Sequence, residues 1–327
     1  MPVLNEETHL RDAVDGILAQ DYAGTVEIVL ALGQSKDHTN DVAAAMLAEG
    51  LPIVSVDNPS GRTASGLNLA IEKAQHDIIV RVDGHAMLPR DYVRTAVETL
   101  ERTGADNVGG IMHAQGVSAF ERAVARAMTH KLGVGSAAFH VGGAEGPAET
   151  VYLGTFRRAA LERVGCYDDR FVRAQDWELN LRIRATGGLI WFNPAMRVTY
   201  RPRSTPRALA RQYFEYGRWR RELVRLNPRT LNLRYLAPPL AVVLVCLGLF
   251  GTIVALVVGT PQFLVLAGLL PLAGYAGLIA VGALTIGRGG GWRSRWTFFM
   301  VIVTMHASWG AGFLTSPRRL SQGDGPV

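Results

Sequence analysis

Hydrophobic and polar positions change their period along the chain. Over residues 1–104, short apolar runs at 26–32, 52–56 and 78–82 alternate with segments at 41–49, 64–74 and 91–101 whose apolar residues recur every three or four positions. Short β-branched runs predict strands and the longer period predicts helices, so the alternation predicts an α/β fold with a mostly parallel, doubly wound, Rossmann-like sheet. The chain opens as if at the end of a strand. Asn5 is then expected to cap a helix running through Leu10, Val14 and Leu18. The helix at 41–49 is entered through Ser35, Asp37 and Thr39. Beyond residue 105 the pattern is weaker. It predicts a helix at 120–132, a Gly/Ala-rich loop at 133–150, a strand at 151–156 and a helix at 158–164 closed by Gly165. A helix at 175–184 follows, ended by Gly187 and Gly188, with Leu179, Ile183 and the Trp177 ring on its buried face.

From Tyr235 to Gly287 the alternation stops, and 53 residues pass without Asp, Glu, Lys, Arg or His. That length accommodates two membrane spans of about 20 residues each, expected at 236–258 and 263–286 with a turn at 259–262. A third apolar stretch at 296–314 contains His306, Gly310 and Gly312, which suit a re-entrant or interfacial segment as well as a span. The chain therefore divides into a globular part (1–200), an arginine-rich juxtamembrane segment (201–234), a membrane region of two to three helices (235–315) and a tail (316–327).

Charge follows the same division. Of the 327 residues, 1–200 hold 19 Lys+Arg against 25 Asp+Glu, while 201–234 hold ten arginines against Glu215 and Glu222. The net charge of +6 is thus a collar beside the first span, not the diffuse basic surface that coats nucleic acid. Anionic membrane lipids are the expected partner of that collar. The collar and Arg288, Arg293 and Arg295 after the second span fit the positive-inside rule, which puts the globular part on the cytoplasmic side of a multi-pass protein of the inner (plasma) membrane. Arg318 and Arg319 fit that topology less well if all three stretches span. Cys166 and Cys246 lie in different regions and imply no disulfide framework. The opening residues lack the basic and apolar regions of a signal peptide.

The run at 78–82 ends in Asp83, Gly84 and His85. In open α/β sheets ligands bind beyond the carboxyl ends of the strands. Two residues apart in an extended segment, Asp83 and His85 project to one side, where carboxylate and imidazole can hold a divalent cation that clamps a diphosphate. A surface Asp-Gly turn with a stray histidine is the plainer reading. Asp176 sits in the first turn of its helix, where the dipole favours a carboxylate, and a simple cap with a solvated Glu178 explains it equally well. The sequence carries no Gly-x-Gly-x-x-Gly, Walker loop or His-Glu-x-x-His, which leaves dinucleotide, P-loop and zinc-hydrolase readings unsupported.

In this order the segments resemble the inverting glycosyltransferases of family 2, which have the GT-A fold, over about residues 1–234. The residues from Pro2 through Leu4 to Glu6 and Glu7 look like the family's first strand-to-helix motif, which contacts the nucleotide. Gly33, Ser35, Asp37 and Thr39 fall at its Asp-Gly-Ser-x-Asp-x-Thr turn. Gly61, Arg62 and Asn68 resemble the element beside the diphosphate, and Asp83 with His85 occupies the Asp-x-Asp position. Gln175 and Asp176 match the Glu-Asp pair whose aspartate is the catalytic base. Gln212, Arg218 and Trp219 resemble a loosened Gln-x-x-Arg-Trp acceptor motif. Within the family, residues 200–203, residues 212–217 and the apolar tail look most like the succinoglycan-type exopolysaccharide glucosyltransferases. Two positions depart from the pattern. Leu32 replaces the aspartate that reads the base, and the first strand is nearly absent. An upstream start is expected there, because a missing inner strand leaves neighbouring backbone groups unpaired.

The resemblance implies a nucleotide-sugar donor, expected to be a UDP-hexose with the base left open by Leu32, and a lipid-linked saccharide acceptor. Leu4, Glu6, Arg62 and Asp83 would hold the donor. Asp83 and His85 would ligate Mg²⁺ or Mn²⁺, Asp176 would be the base, and Gln175, Gln212, Arg218 and Trp219 would meet the acceptor. The alternatives are a transferase that loads polyprenyl phosphate and a catalytically silent membrane partner that keeps the fold.

Overall fold

The structure is a computed structural model that describes residues 1–286, 291–318 and 320, in two compact units. Two of the cations in the topology argument, Arg288 and Arg319, lie outside the described residues.

The first unit comprises residues 1–113 and 136–200. In chain order it contains β1 (Pro2–Val3), α1 (Leu10–Leu18), β2 (Ile28–Leu32), α2 (Thr39–Ala48), β3 (Ile53–Asp57), α3 (Thr63–Lys73), β4 (Ile78–Val80), α4 (Tyr92–Thr103) and β5 (Asn107–Ala114). The second unit takes Ala114–Gly135, with α5 (Ala119–Met128) and α6 (Lys131–Val134). The first unit resumes with α7 (Ala138–Val141), β6 (Gly146–Pro147), β7 (Tyr152–Arg157), α8 (Arg158–Val164), α9 (Gln175–Ala185) and β8 (Ile190–Tyr200).

The alternating half folds as its period predicts: β1, β2 and β3 form a parallel sheet with Val3 beside Leu32 and Leu32 beside Asp57. The other sheet has the order β4-β7-β5-β8-β6. Its ladders β4–β7, β7–β5 and β8–β6 are antiparallel, which locates the reversal where the sequence signal weakens. Two apolar clusters flank the strands. One joins α1, α2 and α4 through Leu10, Met46, Tyr92 and Leu100; the other joins α3, α8 and α9 through Leu67, Leu161, Leu179 and Ile183. Beside the two-residue β1, a cavity of about 400 Å³ separates β2 from β4 and is lined by Val29, Ile78, Val80 and Arg81.

Several local expectations change. Asn5 does not cap α1. It has φ +56°, its side-chain oxygen accepts from the Lys36 amide, and the helix begins only at Leu10 after His9. The Gly/Ala-rich loop at 133–150 carries the short α7 and β6. The helix expected at 120–132 is two helices, broken at Thr129–His130, where the His130 imidazole caps α6.

The second unit adds α10 (Pro206–Leu226), α11 (Ala237–Val258), α12 (Gln262–Ile286) and α13 (Trp292–Thr315) to α5 and α6. Three of these helices are long and apolar enough to cross a membrane. The third stretch is one unbroken helix of 24 residues, starting four residues before the predicted stretch and continuing through Gly310 and Gly312. Its glycines serve packing, not a break. A Cβ at Gly312 would stand 2.0 Å from the Phe214 carbonyl oxygen, and one at Gly217 would stand 2.2 Å from that of Trp309. Small residues thus let α10 and α13 approach backbone to backbone.

Candidate active site

Strand β4 delivers the acidic tip. After Val80 the ladder continues for one bond, Arg81 N donating to Gly154 O at 3.1 Å, and Ala86 N then closes a turn on Asp83 O at 2.9 Å. Alternation therefore does not govern residues 83–85, as an extended reading assumed. Asp83 pairs with Arg81 and keeps 24 % side-chain exposure, while His85 meets Glu6 with 50 %.

Arg81 organises the interior side. Its side chain is 7 % exposed, and its Nε and Nη2 both donate to Asp83 Oδ1, at 3.1 and 3.0 Å. Its Nη1 donates to Asp176 Oδ1 on α9. One guanidinium thus ties the strand-tip carboxylate to a helix carboxylate that lies 95 residues beyond Arg81 in sequence. Burial works against the Arg81 charge, but Asp176 and Asp83 hold its pKa well above the ordinary value. Burial raises the Asp176 carboxyl above the usual carboxylate value, Arg81 pulls against that rise and the Asp83 charge adds to it. The side chain keeps 37 % exposure, so one face of the carboxylate meets solvent.

The helix-cap reading of Asp176 gives way. Ala174 precedes α9 with φ +61°, no side chain caps the helix, and Asp176 is committed to Arg81. Glu178 is not solvated either: it accepts from Arg182 Nε and Nη2, both at 2.6 Å, with a side chain only 12 % exposed. Gln175 is buried beside Asp176.

The outer side is built from the loops after β1 and β2. Asn5 N donates to Ser35 Oγ, Glu6 N to Thr39 Oγ1 and His38 N to Glu7 Oε2, at 3.1, 2.7 and 2.8 Å, while Asp37 Oδ1 accepts from Thr39 N at 3.1 Å. Leu4 lies against Gly33 and Gly61, and Gly61 has φ +62°, a turn conformation that glycine adopts without strain. That turn places Arg62 at the start of α3, where its guanidinium has no hydrogen bond or ion pair among the described residues. A free cation beside a helix amino terminus suits an anion. Asn68 is differently employed: its amide takes Tyr167 N and gives to Tyr167 O, at 2.9 and 2.8 Å, which fixes the loop leading to Asp176.

His85 Nδ1 lies 2.6 Å from Glu6 Oε1, and Glu6 packs over Gly84. An imidazole held by a carboxylate through one nitrogen is the usual arrangement of a metal-binding histidine. Asp83 Oδ2 has no partner among the described residues, both Arg81 bonds going to Oδ1. Among the described residues no group of three or more His, Cys, Asp or Glu is placed to hold a metal. A cation here would take the rest of its shell from phosphate and water, which fits Mg²⁺ or Mn²⁺ and not a closed zinc site.

Gln212, Arg218 and Trp219 lie on α10 in the second unit. Gln212 Nε2 donates to Tyr216 Oη at 2.8 Å, Arg218 pairs with Glu215 at 2.9 Å, and Trp219 is buried. Trp177 packs edge-on to Phe139. Sequence reasoning missed Arg81. Its signal was a charged residue inside an apolar β-branched run, since a buried arginine must be paired.

The parallel β1–β3 sheet, the mixed sheet beyond it and the carboxylates at the β4 tip and on α9 fit a GT-A glycosyltransferase. The mannosyltransferase PcManGT from Pyrobaculum calidifontis, solved with GDP-Man and Mn²⁺, shares the fold, with a TM-score of 0.61 and 20 % identity over 96 % of this chain and 85 % of that one. Residues 1–165 match glycosyl transferase family 2, and the chain belongs to that family. It is 30 % identical over 317 residues, 96 % of its length and 92 % of the relative's, to the succinoglycan biosynthesis protein ExoA of Rhizobium meliloti (strain 1021). It is 24 % identical over 284 residues, 81 % of its length and 86 % of the relative's, to a dolichyl N-acetyl-alpha-D-glucosaminyl phosphate 3-beta-D-2,3-diacetamido-2,3-dideoxy-beta-D-glucuronosyltransferase of Methanococcus voltae. The protein is a glycosyltransferase with apolar carboxyl-terminal helices that fit membrane anchoring.

Proposed function

We propose that this enzyme moves a hexose from a nucleotide sugar to a hydroxyl of a lipid-linked saccharide, with inversion, at the cytoplasmic face of the inner membrane. The product extends a cell-surface polysaccharide or exopolysaccharide. The observation that carries the reading is the Arg81 bridge, which brings a candidate base and a candidate diphosphate site to one strand tip. The succinoglycan relative supports the polysaccharide context, and the dolichyl-linked relative supports an acceptor on a lipid carrier.

The acceptor hydroxyl attacks the anomeric carbon while the bond to the diphosphate breaks on the opposite face. Its proton passes to Asp176, whose Oδ1 is held by Arg81 and whose other oxygen remains for the acceptor. Asp83 and His85 would hold Mg²⁺ or Mn²⁺, which as a Lewis acid would neutralise charge gathering on the leaving diphosphate. Arg62 adds a fixed positive charge to the same phosphates. Leu4 and Glu6 shape the nucleotide side; Leu32 in place of the usual aspartate leaves the donor base open between UDP and another nucleotide. Gln175 adjoins the base, and Gln212, Arg218 and Trp219 serve the acceptor side through the fold of α10.

Membranes containing the chain, given Mg²⁺ or Mn²⁺ and a panel of labelled sugar nucleotides, test this. Asp176→Asn is expected to lower transfer about 10²- to 10⁴-fold, the usual contribution of a general base, with donor binding kept. Label released as a lipid monosaccharide would instead identify polyprenyl phosphate as acceptor. Equal transfer by mutant and wild type removes Asp176 from the chemistry.

A further inference from the structure

The second unit contains a cavity of about 380 Å³ that none of these roles uses. Ala119, Arg122 and Arg126 line it from α5, and Gly291, Arg293 and Ser294 line it from the start of α13. Arg126 Nη2 donates to Ser294 Oγ at 2.8 Å, whereas its Nε is buried with no hydrogen-bond partner. Arg122 donates to its own helix entrance at Val117 O, and exposed Arg293 has no ion pair among the described residues. No carboxylate lines the cavity among the described residues. The nearest acid on α5, Glu121, is consumed by its capping box, accepting from Val117 N and Ser118 N at 2.8 and 2.9 Å, with Arg201 at 3.6 Å. The 24-residue α13 begins at Gly291 with no side-chain cap, so its first amides add positive potential to the same space.

Three guanidinium groups beside an uncapped helix start, with no acid facing them among the described residues, suit a multiply charged oxyanion. Its surroundings narrow the ligand. Trp292 and Trp296, on the first two turns of the apolar α13, are 73 % and 57 % exposed. Exposed tryptophans at the end of a membrane-length helix mark the headgroup level. We propose that this cavity binds the phosphate of a membrane-held ester, either the headgroup of an anionic phospholipid or the diphosphate of a polyprenyl-linked saccharide. The second source rests on the acceptor class proposed above; the first does not.

Native mass spectrometry of the full chain in detergent, titrated separately with phosphatidylglycerol and with farnesyl diphosphate, reads the site without any transfer reaction. The variant Arg122→Gln/Arg126→Gln/Arg293→Gln is expected to weaken binding of one probe about ten-fold or more, roughly one lost charge-assisted contact in free energy. Arg184→Gln, an exposed arginine on α9 of the first unit, serves as the control and is expected to change it less than about two-fold. Loss confined to phosphatidylglycerol assigns the cavity to lipid headgroups; loss confined to farnesyl diphosphate assigns it to the acceptor. Wild-type affinity for both probes in the triple variant overturns the proposal. Should that variant lose its helical circular dichroism, Arg293→Gln, whose side chain makes no hydrogen bond or ion pair among the described residues, decides on the same readout. A normal Asp176→Asn transfer rate would refute the catalytic reading and leave this measurement untouched.

Discussion

The two units treat exceptional residues in opposite ways. In the first, large apolar side chains are inside, and the anomaly is a buried charge, Arg81 between two aspartates. In the second, the anomaly is on the surface. Phe250, Leu256, Val257 and Phe263 are 66, 63, 80 and 67 % exposed, and the windows of α11 and α12 are only 11 % and 6 % buried. Water explains the first pattern and cannot explain the second, because exposed apolar surface of that extent needs another solvent. A buried ion where water is the solvent and an exposed leucine where lipid is the solvent are thus equally informative.

The sharpest way to break the contrast is to remove the buried cation. Arg81→Gln leaves Asp83 and Asp176 facing each other without compensation. Breaking a buried pair costs about 3–5 kcal/mol; the low end, about 3 kcal/mol, is expected because Asp176 keeps partial exposure. Thermal unfolding of the first unit's tertiary signal measures it. The variant should also move the acid limb of kcat to higher pH. The sign follows from the pair: Arg81 favours the ionised Asp176, so without it the carboxyl titrates higher and the base form appears later as pH rises. An unchanged melt with an unchanged pH profile would reduce the bridge to a surface contact.

A matched pair of substitutions tests the two-solvent interpretation directly. Met87 in the first unit and Phe250 near the middle of α11 are 62 % and 66 % exposed. Met87→Arg is expected to change stability by less than about 0.5 kcal/mol, as surface replacements do. Phe250→Arg should cost about 2.5–3.5 kcal/mol of membrane insertion, the value for arginine at a helix centre. The fraction of chain integrated into membranes, compared between the two, checks this; equal integration would mean that α11 lies in water.

What the sequence made legible divides along similar physical lines. Strands β2, β3 and β4 and helices α2, α3, α4, α8 and α9 fall where the period puts them, within a few residues. Their signal is local, a buried stripe or a β-branched run. The strands β5 and β8 were not foreseen, although β8 is 11 residues long. Asn193, Pro194 and Arg197 interrupt its apolar alternation. The antiparallel insertion of β7 between β4 and β5 is a tertiary choice that no local pattern encodes. At the candidate site, Asp83 and Asp176 were both singled out by type and position. Their connection was not, because it runs through Arg81 across 95 residues. Helix α10 was legible only as charge: its arginines hid a 21-residue helix that packs Trp219 inward.

Two histidines give the finest version of the contrast. His306 in the second unit places Nε2 2.8 Å from Leu132 O and Nδ1 3.2 Å from Tyr275 Oη, so both ring nitrogens are engaged. His140, on α7 of the first unit, stacks 4.3 Å from Phe139, and its Nδ1 is buried with no partner. Burial lowers the His140 pKa to about 4. The opened segment titrates near 6.5 and takes up a proton between those values that the closed form refuses, so closure is fully stable above 6.5 and weakens as pH falls toward 4. At pH 5.5 the loss is about 1 kcal/mol. Amide exchange over residues 138–141, corrected for intrinsic rates, should therefore quicken between pH 7.5 and 5.5, and His140→Phe should abolish the change because phenylalanine has no proton to gain. Were wild type and variant to quicken alike, the segment's acid sensitivity would belong to another group, and the unpartnered nitrogen would be a packing detail without thermodynamic weight.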